Sequence, residues 1–251
     1  MCTILLAYKK IPGWPLVVAN NRDEFFQRRA LPPRVYRAGK RPGLRWLASC
    51  DLAGGGSWWG YNNRGLLVWL TNRWTGSEYA SGLQSRGALV TELLACENSE
   101  TARNHLESVC DGLTFNPFNL IIATRERAFL ATNSPNLQLA PLAAGYHYLG
   151  NGPILDRMSV KAGNAMNLFA GLSGNESLFE IMEIFEKALR TSLPQDSIPP
   201  QGFNVKLDGY GTTSSLLLAL AADKETLQLQ YCDENPLVGS YHDCSRLSLL
   251  L

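Results

Sequence analysis

The sequence predicts an α+β protein built on antiparallel sheets, and three observations predict it. Apolar, strand-like runs come in pairs joined by turn residues. Helical periodicity is confined to separate stretches. The order is strands, two helices, strands, one or two helices, strands, and segregated runs of this kind build α+β layers rather than an alternating parallel sheet. Strands linked by short hairpins pair antiparallel.

The elements follow in order. Thr3-Ile4-Leu5-Leu6-Ala7-Tyr8 reads as a strand, Lys9 to Gly13 supply turn chemistry, and Pro15 to Ala19 return. A polar cluster follows at once, Asn20-Asn21-Arg22-Asp23-Glu24. Residues 28–45 are basic and Pro-rich and are expected to be an irregular excursion. Ser57-Trp58-Trp59-Gly60-Tyr61, the tight turn Asn62 to Gly65 and Leu66 to Thr71 predict a second hairpin that ends at Asn72. All six tryptophans lie between Trp14 and Trp74, so this β region has Trp-rich walls.

Ala88, Leu89, Leu93 and Leu94 fit one helical face, and Ala102, Leu106, Val109 and Leu113 a second, with Asn98 or Ser99 as its cap. Phe118 to Ala123 and Ala128 to Thr132 are strands around the turn Thr124 to Arg127, and Asn133-Ser134-Pro135 ends the second. Ser177 and Glu180 form a capping box before Leu178, Ile181, Met182, Phe185 and Leu189 at helical spacing. Pro194 to Pro200 reads as a loop, and Ser214 to Ala221 with Thr226 to Tyr231 as a last hairpin around Asp223-Lys224. Nothing marks a repeat or a boundary, so a single domain over 1–251 is expected.

Composition excludes several classes. The chain is 45% apolar and 18% charged, which is a globular and not a disordered composition. Lys plus Arg is 23 against 22 for Asp plus Glu, a formal charge of +1. No global field draws such a chain onto nucleic acid, which is not expected as a partner. No run approaches the roughly 18 apolar residues of a transmembrane helix. Lys9-Lys10 and Pro12-Gly13 interrupt the first apolar run, unlike a secretory signal, so a cytoplasmic protein is expected. The six cysteines and three histidines show no zinc spacing, and neither a metal nor a cofactor is expected.

Cys2 is the cysteine whose position needs an explanation. Methionine aminopeptidase removes Met1 before a small residue, which would leave a thiol and a free α-amine on one residue. That amine has an ordinary pKa of about 7.7–8.0 and can take the thiol proton without a histidine. The alternative is a small apolar residue opening a strand. Asn20 to Glu24 would lie beside Cys2 across the hairpin: an aspartate could hold the amine and an arginine could orient it or bind a substrate carboxylate. The alternative is a solvated turn. Asn72 and Asn133 each follow an apolar strand, where an amide can donate to an oxyanion or simply make a turn. Trp58, Trp59, Trp69 and Trp74 could line an apolar pocket or fill a core. Gly54-Gly55-Gly56 lacks the ending of a phosphate loop.

Taken together these motifs resemble a known family. Met1-Cys2-Thr3, Asn21-Arg22-Asp23-Glu24, Gly55-Gly56-Ser57-Trp58-Trp59-Gly60, Leu70-Thr71-Asn72, Ser85-Arg86-Gly87, Phe118-Asn119-Leu120 and Tyr210-Gly211-Thr212 occur in the order seen in the transport and Golgi organisation, or NRDE, family. More distantly, Met1-Cys2-Thr3, Asn21-Arg22-Asp23, Asn62 to Gly65 with the strand ending in Asn72, and Thr132-Asn133-Ser134-Pro135 are similar to choloylglycine hydrolases and penicillin V acylases. That resemblance implies a four-layer α-β-β-α sandwich of two antiparallel sheets, the N-terminal nucleophile hydrolase fold. It implies Cys2 as nucleophile, Asp23 beside its amine, Asn72 in the oxyanion hole and Asn133 as the second asparagine, with Arg22, Asn21 and Trp58 around the substrate. The function implied is hydrolysis of a small amide or acyl compound. The alternative implied by the NRDE family is a carrier of a hydrophobic ligand such as haem or a lipid or acyl-CoA. Two departures stand out. The hydrolases carry an arginine where this chain has Asn20, and the NRDE family usually carries one where it has Thr213.

Overall fold

The computed structural model describes residues 2–39, 41–154, 156–192, 201–223 and 225–251. The strands are β1 (Cys2–Ile11), β2 (Trp14–Phe25), β3 (Ala30–Arg37), β4 (Arg45–Asp51), β5 (Trp59–Asn62) and β6 (Leu67–Asn72). Two helices follow, α1 (Arg86–Leu94) and α2 (Ser99–Gly112), then β7 (Phe118–Ala123), β8 (Ala128–Thr132), β9 (Gln138–Pro141) and β10 (Gly145–Leu149). The chain ends with α3 (Val160–Ala170), α4 (Leu178–Leu189), β11 (Lys206–Leu207), β12 (Tyr210–Leu220), β13 (Leu227–Cys232), β14 (His242–Asp243) and a short 3-10 turn, Ser245–Leu250. Its contacts form two compact units, one from the residues up to Gln27 with Ala144–Ser245, the other from Arg28–Ala143 with Arg246–Leu251. Each holds one antiparallel sheet with helices on it, so the α+β class expected from the sequence holds.

The sheet of the Arg28–Ala143 unit is a meander, β3 to β9 in chain order. Leu66, Val68 and Leu70 on alternate positions pack with Leu89, Val90, Leu93 and Leu94 of α1 and Leu106 of α2, the period-2 against period-3.6 match that joins a sheet to helices. Asn98 caps α2 in a reciprocal box with Thr101. Gly56 is needed by contact: a Cβ there would lie 2.2 Å from the Gly87 backbone at the start of α1. The Gly-rich run thus lets a backbone approach a helix, and Ser57 N–H donates to Gly87 O.

Residues 28–45 are not wholly irregular. They contain β3, at one end of the sheet, and Pro32 and Pro33 fall in the register shift between Leu31 and Arg34. Proline, which has no N–H, is tolerated at such an edge and bulge, so the Pro-rich composition concealed a strand.

In the other unit the sheet order is β10-β1-β2-β12-β13-β14, with β11 on β12. Leu5, Ala7, Val17, Ala19, Leu217 and Ala219 share one face and pack with Ala162 and Ala165 of α3 and Ile181, Phe185 and Leu189 of α4. The Ser177–Glu180 capping box of α4 forms as expected. α3 had no clear sequence signal, because its buried residues are two alanines and a lysine. The last hairpin begins earlier than expected, at Tyr210. The expected loop Pro194 to Pro200 and the turn residue Lys224 lie outside the described residues. Among the described residues, no helix is long and apolar enough to cross a membrane.

Candidate active site

Cys2 opens β1 and pairs across the sheet with Arg22 of β2, while Thr3 pairs with Asn21. Directly opposed residues share a face, so Cys2 and Arg22 share one and Asn21 and Asp23 point to the other, toward the helices. All four are buried. The Cys2 backbone N–H donates to Asn151 Oδ1 at 3.1 Å, which brings in the loop after β10.

Asp23 pairs with Thr212 of β12, and a register shift follows between Thr212 and Ser214. The Thr212 hydroxyl donates to Asp23 Oδ1 at 2.7 Å and accepts from Val205 N–H at 2.9 Å. Gly211 makes this possible, since a Cβ there would lie 2.6 Å from Val205 O. Lys161 Nζ of α3 stands 3.8 Å from Asp23 Oδ2, with the two side chains 11% and 0% exposed. Thr213, at the register shift, donates from its hydroxyl to Arg22 O and accepts from Arg22 Nη1 at 2.9 Å. The position where the resembling family carries arginine is thus touched by the Arg22 guanidinium.

Burial dominates the electrostatics. It pushes the Cys2 thiol up; the Asp23 charge adds to this, and the Arg22 cation and the Asp23 backbone N–H oppose it. Burial likewise pushes the Asp23 carboxyl up, opposed first by Lys161 and also by the Thr212 hydroxyl. It pushes the Lys161 ammonium down, opposed by Asp23 and Cys2. A thiol held above its ordinary range is no standing thiolate at neutral pH. To act as a nucleophile it would need a base to take its proton.

The remaining expected residues lie in the other unit. Asn72 ends β6 opposite Phe118. Asn133 Oδ1 accepts from Phe118 N–H at 2.7 Å, and its amide donates to Phe115 O and Asn116 O. The two asparagines therefore meet around Phe118. Trp58 is buried beside Trp59; Trp59 stacks on Trp69 at 5.4 Å and both belong to the core. Trp74 is 54% exposed and packs edge-on to Tyr79.

Cys2, Arg22 and Asp23 thus come together on adjacent strands. Asn21 is on the same strand, but its amide donates to Leu189 O and Phe203 O, tying β2 to the end of α4. Sequence reasoning did not single out Asn151, Lys161 or Thr212 as site residues. Thr212 had a signal, the Tyr210-Gly211-Thr212 motif. Asn151 lies in the turn-like run Gly150-Asn151-Gly152-Pro153, and Lys161 had no local signal. Among the described residues no group of three metal-ligating side chains gathers.

Several solved structures share this fold. The N-acylethanolamine-hydrolyzing acid amidase ortholog of Caenorhabditis elegans superposes with a TM-score of 0.59 at 12% identity, covering 86% of this chain and 92% of its own. The conjugated bile acid hydrolase of Clostridium perfringens, as its C2A mutant, gives 0.57 at 11% identity over 97% and 96%. Penicillin V acylase from Agrobacterium tumefaciens gives 0.53 at 12% over 96% and 97%. A curated relative, the Transport and Golgi organization protein 2 homolog of Bos taurus, is 26% identical over 89% of this chain and 90% of its own length. The family described as Transport and Golgi organisation 2 matches residues 1–233, and the chain belongs to that family.

Proposed function

We propose that this chain is a cysteine N-terminal nucleophile hydrolase acting in the cytosol, as one domain, on a small linear amide or related acyl compound. The observation that carries the reading is Cys2 at the start of β1, its backbone nitrogen held by Asn151, beside a buried carboxylate one residue beyond its cross-strand partner. Structural likeness to enzymes named as an acid amidase and as a conjugated bile acid hydrolase supports it.

Removal of Met1 turns the Cys2 nitrogen into an α-amine. The amine takes the thiol proton as sulfur attacks the carbonyl carbon, and the carbonyl oxygen becomes an oxyanion. By the resemblance alone, Asn72 is the residue offered for that oxyanion and Asn133 the one offered for the substrate. The intermediate collapses as the C–N bond breaks, and the α-ammonium gives its proton to the leaving amine. Water then attacks the thioester, the amine takes the water proton, and the acid and free thiol are released. Asp23 and Asn151 hold the amine throughout. Arg22 and Trp58 are assigned to substrate contact, with Arg22 suited to a carboxylate.

Intact mass, iodoacetamide labelling and a panel of N-acyl amides test this. The expected protein lacks Met1, labels at Cys2, and hydrolyses one class of the panel, and Cys2→Ala lowers that rate at least about a thousandfold. A protein that keeps Met1 and leaves Cys2 unlabelled overturns the reading in favour of a carrier of a hydrophobic ligand.

A further inference from the structure

We propose that Lys161 is the positioning residue of the Cys2 site: from the helix layer it keeps Asp23 a carboxylate, and Asp23 can then hold the Cys2 amine. This rests on the reading of Cys2 as nucleophile and adds the group that sets the charge of its aspartate.

Lys161 is the second residue of α3, on a face whose other buried members are Ala162 and Ala165. A lysine among alanines is costly unless its charge meets an opposite one. Here that charge is Asp23, 3.8 Å away, a pair looser than a hydrogen bond. A loose pair suits the role, because it supplies field without demanding the geometry that a second donor to the same carboxylate needs. Thr212 fixes the other oxygen at 2.7 Å, so the carboxylate plane is set from the sheet while its charge is set from the helix.

The titratable groups that influence Asp23 are Lys161 from α3, the amino terminus, Cys2 from β1, Tyr148 from β10 and Glu24 along β2. Among these side chains Lys161 is the cation. It is also foremost among the influences that pull the buried carboxyl back toward ionisation. Without it the burial that raises the Asp23 carboxyl meets less opposition, and the group shifts toward the protonated form, which donates where the amine needs an acceptor. The residue at 161 therefore sets the pH below which the nucleophile loses its support.

The test is the titration of Asp23 by carboxyl carbon NMR on protein carrying labelled aspartate, the resonance assigned with Asp23→Asn. The second readout is the rate of Cys2 alkylation by iodoacetamide at pH 7 in protein of verified N-terminus. In Lys161→Met the Asp23 midpoint rises by about one pH unit or more and alkylation slows about tenfold, and Lys161→Arg restores both. An Asp23 midpoint indifferent to residue 161, or a midpoint that moves while alkylation does not, overturns the proposal. If Lys161→Met does not fold, Lys161→Gln is read in its place. Wild-type Cys2 that fails to label overturns the nucleophile reading and this role with it; a labelled Cys2 beside an indifferent Asp23 overturns Lys161 alone.

Discussion

The two units use the same parts to different ends. Among the described residues each has a seven-stranded antiparallel sheet and helices against it. In the Arg28–Ala143 unit the strands pair in chain order, and among the described residues its buried polar side chains, Arg125 apart, are neutral hydroxyls and amides. Asn62 is typical: its amide donates to Leu94 O and Cys96 O, and its oxygen accepts from Arg64 and Leu66 N–H. In the other unit the central strands come from opposite ends of the chain, β2 lying between β1 and β12. There the sheet buries Arg22, Asp23 and, under α3, Lys161. Buried amides that are fully bonded hold a fold together. Buried charges beside a thiol cost stability, and groups perturbed in this way cluster at functional sites.

The largest expected effect tests that cost. Removing one partner of the buried pair, by Lys161→Met or Asp23→Asn, destabilises by about 3–5 kcal/mol at pH 7, and the double variant is as stable as the wild type or more so. Urea unfolding of the four proteins measures it. The sign agrees with the shifts. A raised Asp23 contributes stability below its unfolded pKa and loses it as pH rises through the folded value. A lowered Lys161 contributes above its unfolded pKa and loses it as pH falls through the folded value. At neutral pH both charges therefore work against folding, and a double variant clearly less stable than either single would break the contrast.

A smaller effect is expected from Asn62→Ala in the meander, about 1–3 kcal/mol, since buried backbone groups lose their partners. No charge is involved, so the loss is the same at pH 5 and pH 8 in matched melts. A pH-dependent loss would show the two units to be less different than drawn here.

The smallest concerns Glu176, which accepts from Ser173 and Gly174 N–H and from the Tyr146 hydroxyl. Its pKa is lowered to about 2, with burial opposing and these hydrogen bonds prevailing. Stability from a lowered carboxyl is present above the unfolded value near 4.5 and fades as pH falls toward about 2. Glu176→Gln therefore costs about 1 kcal/mol at pH 7 and little at pH 2.5, measured by urea midpoints at the two values. This contrasts a charge retained for structure with the charges beside Cys2.

Much of the fold was legible in the sequence. The hairpins of β1 with β2 and β5 with β6, the caps at Asn98 and Ser177, and the α4 stripe depend on residues a few positions apart. β3 was missed because two prolines dominate its composition, and α3 because its buried face is small and charged. Within the site, the pairing of Cys2 with Arg22, and so the nearness of Asp23 one residue along β2, followed from the first hairpin, since register carries it.

The sequence by itself determined this protein's family, its antiparallel hairpins and the thiol that leads its first strand, because each is written in adjacent residues. Only tertiary structure decided what meets that thiol's aspartate. Thr212 arrives on a strand from the far end of the chain and Lys161 on a helix with almost no apolar pattern. No local rule links those positions; the burial that makes their charges matter exists only once sheet and helix have packed.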